Sequence, residues 1–118
     1  LNAEFGHIVE RVGPLHSLYV GSGPTGTLSP AERQRILDLC GEAFPSFTCI
    51  EAMGYFRGRP EETLVIHMAT SDLDRLVALA RDIAVDHQQL GVGLATPEPG
   101  EGTIYKRIIP RRQHGLEA

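Results

Sequence analysis

Two hydrophobic rhythms run along the chain. Ile36, Leu37, Cys40, Ala43 and Phe44 recur at three- and four-residue spacing, as do Leu73, Leu76, Val77, Ala80, Ile83 and Ala84. That spacing puts each set on one stripe of a helix. Ser29 suits the N-cap of the first helix, with Pro30 at N1 and Glu32 placed to close a capping box; Pro45 and Ser46 end it. Ser71 caps the second with Asp74 at N3, and Asp72 and Asp74 suit the positive end of its dipole. Gly91 marks its exit. Elsewhere the rhythm has a period of two. It predicts strands over residues 15–20, 47–56, 63–69, 91–96 and 103–109.

The order is β-α-β-β-α-β with one more strand. Only Arg57 to Glu61 separate the second strand from the third, too few residues for a parallel crossover, so the two form an antiparallel hairpin. The expected architecture is α+β: a ferredoxin-like βαββαβ sandwich, an antiparallel sheet with two helices on one face, plus a C-terminal strand. Residues 15–109 make the single domain, residues 1–14 an N-terminal extension and residues 110–118 a basic tail.

Alternation then sorts side chains to faces. Ile50, Ala52 and Phe56 share one face of the second strand; Cys49, Glu51, Met53 and Tyr55 share the other. In the third, Leu64, Ile66 and Met68 oppose Thr63, Val65 and His67. The purely apolar sets are expected under the helices and the mixed sets on an open face. A hairpin centred on Arg59 pairs Met53 with Val65 and Glu51 with His67. The pair reads in two ways: as a polar island that fixes register and assembly, or as a proton-transfer couple in a cavity. Met53, Tyr55 and Tyr19 are the expected ligand contacts beside it.

Composition limits the function classes. The chain has 118 residues, 42% hydrophobic and 22% charged, enough for one domain with its own core. Its formal charge of −4 argues against a general nucleic-acid binder, and its apolar runs are too short for a membrane span. Charge is uneven: residues 1–105 carry fourteen acidic against seven basic side chains, whereas Lys106, Arg107, Arg111 and Arg112 face only Glu117 beyond them. A basic tail on an acidic body suits an acidic neighbour such as a second subunit. Two cysteines cannot make a disulfide framework, and no secretory leader is read at the start; a cytoplasmic setting is expected. Cys40 on the helix stripe and Cys49 on the open face are expected to be separated by the sheet.

Several motifs carry less than they promise. Gly21 to Gly26 matches G-x-G-x-x-G, but the helix starts later, at Ser29, and Pro24 removes an amide, so a flexible connection is expected instead of a dinucleotide cradle. His7, His16, His67, His87 and His114 show no metal-ligand spacing. Neither a metal nor another cofactor is called for. Tyr55-Phe56 lacks the aromatic and basic company of an RNA-binding sheet.

The Leu-Tyr-Val first strand with its Gly loop, Gly54-Tyr55-Phe56-Arg57-Gly58 and Glu62-Thr63-Leu64-Val65-Ile66 resemble small uncharacterised bacterial proteins of ferredoxin-like fold. At the level of fold the chain also resembles the dimeric α+β barrel proteins. The open face, too apolar to stay wet, is expected to be covered by a second copy of the chain packed sheet against sheet, by the tail strand and N-terminal segment, or by a small-molecule ligand or a partner protein. The first functional expectation is therefore a non-catalytic binding or assembly module. The alternative is a small cavity enzyme using Glu51 and His67, assisted by Tyr55 or Tyr19.

Overall fold

The structure, a computed structural model, describes residues 6–87 and 91–110. Most of the expected tail, including Arg111 and Arg112, lies outside the described residues. The elements run β1 (Leu15–Gly21), a 3-10 turn (Gly23–Thr25), α1 (Pro30–Ala43), β2 (Thr48–Phe56), β3 (Arg59–Ala69), α2 (Leu73–Asp86), β4 (Val92–Glu98) and β5 (Gly102–Ile108). All strands join one antiparallel sheet in the order β2-β3-β1-β4-β5. This is the expected α+β architecture, with β5 added as a hairpin beyond β4.

The first helix forms where its cap places it, and the second starts one residue later than expected. Ser29 accepts from the Glu32 amide and the Glu32 carboxylate accepts from the Ser29 amide, a complete capping box. That amide also holds the Glu32 carboxyl below its ordinary value. In α2 the cap is Asp72 instead of Ser71; its carboxylate accepts from the Arg75 amide. Ile36 and Cys40 of α1 and Leu76, Leu79, Ala80, Ile83 and Ala84 of α2 pack on one side of the sheet with Leu18, Leu64, Ile66 and Leu94. Arg35 of α1 grips Asp86 at the end of α2 with both Nε and Nη2, which lowers the Asp86 pKa.

The hairpin differs from expectation. Its turn is only Arg57-Gly58, both at positive φ (54° and 79°), which matches the two-residue turn whose twist suits flanking strands. Pro60 lies inside β3, opposite Tyr55, beyond the stretch where β1 needs its amide. The register is therefore Glu51 with Leu64, Met53 with Glu62 and His67 with Thr48. The change in register is odd, so every β2 side chain exchanges faces. Cys49, Glu51, Met53 and Tyr55 share the helix side, and Ile50, Ala52 and Phe56 share the open side with Val65 and His67. Cys40 and Cys49 consequently lie on the same side of the sheet, both as free thiols. Among the described residues no helix is long and apolar enough to cross a membrane.

Candidate functional site

A cleft of about 270 Å³ opens on the helix side where the start of α1 meets β2 and β3, lined by Leu28, Arg33, Glu51, Met53, Glu62 and Leu64 among others. Its geometry follows from two consecutive acids. Glu61 and Glu62 fall at neighbouring positions of β3, so their side chains leave the strand on opposite faces. Glu62 accepts from the Leu28 amide at 2.7 Å, and its own amide donates to the Gly26 carbonyl at 3.0 Å. Glu61 accepts from the Gly23 amide at 3.0 Å. The loop expected to be a flexible connection is thus pinned to β3 from both sides, and the first turn of α1 is held over the sheet.

Arg33, one turn into α1, reaches down between two carboxylates. Its Nη2 donates to Glu62 at 3.3 Å and its Nε lies 3.7 Å from Glu51. The Arg33 side chain is 29% exposed and that of Glu51 is 72% exposed, so the guanidinium forms the floor and the Glu51 carboxylate the mouth. Met53 and Leu28 supply apolar wall. Tyr55 stands one step outward from Met53 on the same face, 73% exposed. Glu51 also helps raise the Cys49 thiol pKa, after burial, which keeps that sulfur protonated and poorly nucleophilic.

The expected site residues are divided by the sheet. Glu51, Met53 and Tyr55 belong to the cleft side. His67 and Tyr19 lie on the open face, where Ser17 Oγ and His67 Nδ1 share a hydrogen bond of 2.8 Å and Tyr19 meets Tyr105 with ring centroids 6.3 Å apart. Glu51 and His67 do not form a couple, because the two-residue turn puts an odd sum of residue numbers into register. Arg33 and Glu62 were missed from sequence; the signal was an acidic pair directly after Pro60 together with an arginine in the first helical turn. Among the described residues no three His, Cys, Asp or Glu side chains are grouped to hold a metal ion.

No protein-family model matches the sequence, and no curated protein does. Among solved structures the chain is similar to a phage SAM lyase in its apo state, at 16% identity and a TM-score of 0.64, covering 90% of this chain and 98% of the other. It is also similar to a phage SAM lyase in complex with S-methyl-5'-thioadenosine, at 15% identity and a TM-score of 0.54, covering 86% and 96%. At this identity the likeness is one of fold, over nearly the whole of both chains. The structures it resembles are those of an enzyme, which corrects the expectation of a non-catalytic binding or assembly module.

Proposed function

We propose that the chain is a lyase acting on a sulfonium substrate of the S-adenosylmethionine class, with the Arg33–Glu51–Glu62 cleft as its active site. The observation that carries this reading is the charge pattern of the cleft in a fold shared with a SAM lyase: one guanidinium flanked by two carboxylates. The substrate carries a sulfonium cation, an ammonium and a carboxylate. Arg33 suits the carboxylate, with Glu62 holding the guanidinium in place. The exposed Glu51 carboxylate suits the cationic end, and Met53 with Leu28 the methyl and ribose side. The cleft lies at the small end of ligand sites, so the nucleoside extends outward, where Tyr55 offers a face for the purine ring.

Cleavage needs no water. The carbon–sulfur bond breaks with its electron pair left on sulfur, giving a neutral thioether. In the elimination route Glu51 takes the proton from the adjacent carbon, and the carbon–hydrogen pair becomes the new double bond.

The test is incubation of the purified protein with S-adenosylmethionine, followed by liquid chromatography and mass spectrometry. S-methyl-5'-thioadenosine is expected as product, with Glu51→Gln lowering its rate by about 100-fold or more and Arg33→Ala raising KM. An unsaturated amino acid as co-product supports proton removal by Glu51. A lactone would instead assign the displacement to the substrate's own carboxylate, leaving Glu51 to hold the cation. Absence of both thioether formation and substrate binding overturns the reading.

A further inference from the structure

The cleft accounts for Glu62 and leaves its neighbour Glu61 without a part in it. Glu61 leaves β3 on the opposite face, toward Gly21 and the loop that carries the chain from β1 to α1. That loop holds Gly21, Gly23 and Gly26, the three glycines of the G-x-G-x-x-G spacing. Glycine-rich loops can aim backbone amides at a bound anion. Here the anion is the chain's own carboxylate: Glu61 Oε1 accepts from the Gly23 amide at 3.0 Å. Gly21 makes room for it. A Cβ at Gly21 would lie 2.9 Å from Glu61 Oε2 and 3.0 Å from its Cδ and Oε1, so the carboxylate rests against bare backbone.

From there the hydrogen bonds run in a closed ring. The Gly23 carbonyl accepts from the Gly26 amide at 3.0 Å, and the Gly26 carbonyl accepts from the Glu62 amide at 3.0 Å. Gly23 at φ 73° and Gly26 at φ 76° fold the loop back onto β3. The ring leaves β3 through the Glu61 side chain and returns through the backbone of the next residue. The Glu62 side chain then continues to the Leu28 amide at 2.7 Å and to Arg33 Nη2 at 3.3 Å. We infer that Glu61 is a positioning residue for the cleft: from the far face of the sheet it fixes the loop that sets Leu28 and Arg33 above Glu62.

Packing alone does not fix this loop. Residues 22–27 are half-buried or exposed, and core packing takes over only at Leu28, which is buried. A hydrogen bond to an ionised carboxylate is stronger than one between neutral groups, which suits Glu61 to the task. The inference rests on the reading of Arg33 as the group that receives the substrate carboxylate.

The experiment compares Glu61→Ala, Glu61→Gln and Gly21→Ala in the full chain. Gly21→Ala keeps the carboxylate but displaces it; Gly21 is not at positive φ and its neighbours here end a flexible side chain, so the fold survives. Amide hydrogen exchange without ligand is expected to quicken over residues 22–28 in Glu61→Ala and Gly21→Ala. It is expected to stay near wild type in Glu61→Gln, whose side-chain oxygen still accepts. KM for S-adenosylmethionine is expected to rise about fivefold in the first two variants with kcat within about twofold, as for a displaced binding group. Unchanged exchange in a folded Glu61→Ala or Gly21→Ala variant overturns the inference. Quickened exchange with unchanged KM overturns it as well, since Glu61 then holds only the loop. A wild type that neither binds nor cleaves S-adenosylmethionine overturns the proposed function instead, and the exchange data then decide the positioning role by themselves.

Discussion

At the scale of single residues, burial and polar pairing decide what each ionisable group does. Cys40 is wholly buried in α1 against the sheet, and desolvation, with Cys49 nearby, pushes its thiol up to about 12. In the unfolded chain the same thiol loses its proton near its ordinary value of 9. The unfolded state therefore sheds the proton first, and stability that is complete below pH 9 falls as pH climbs toward 12. Urea unfolding at several alkaline pH values checks this. The wild-type curve is expected to decline more steeply than that of Cys40→Ala, which lacks the group while keeping the other alkaline titrations. Parallel slopes would mean that the thiol is solvated in the fold. The same logic makes Cys49 a poor nucleophile at neutral pH despite its place beside Glu51, since burial and that carboxylate both hold its proton on.

At the scale of elements, the hairpin turn governs which side chains enter the cleft. Arg57 at φ 54° sits in a region that costs an L-residue about 1 kcal/mol or more, and Gly58 at φ 79° relieves the same cost by having no Cβ. Arg57→Asn, a residue that tolerates this conformation, is expected to stabilise the protein by about 0.5–1 kcal/mol, and Gly58→Ala to destabilise it by about 1 kcal/mol. Denaturant midpoints measure both. A five-residue loop would show neither effect, so the pair of variants also tests the register. Both helices and all five strands are legible in the sequence because caps and periodicity are local signals. The turn is not, because Pro60-Glu61 looks like loop punctuation when its neighbours are unknown. Only the structure reveals that β1 has ended where the proline lacks its amide. That one ambiguity exchanged the faces of β2, sending Glu51 to Arg33 and leaving His67 with Ser17. Met53 and Tyr55 were correctly seen as one set with Glu51, because period-two alternation within a strand does not depend on its partner.

At the scale of the whole molecule, the two faces of one sheet differ in charge. The open face is apolar with marginal charges, whereas the cleft holds two carboxylates against one guanidinium in a chain of formal charge −4. A sulfonium amino acid has net charge +1 near neutral pH, and its thioether product has none. The field of the protein therefore favours such a cation over the neutral thioether before any contact is made. Salt screens that attraction over about 10 Å at 0.1 M. Calorimetric titration is expected to show the affinity for S-adenosylmethionine falling roughly threefold or more between about 20 and 300 mM salt, while that for S-methyl-5'-thioadenosine stays level. Glu51→Gln removes the exposed member of the cleft charges and is expected to flatten the response of the sulfonium ligand without changing that of the thioether. Equal salt dependence for the two ligands would place the sulfonium away from these carboxylates and shift attention from the Arg33 cleft to another part of the fold.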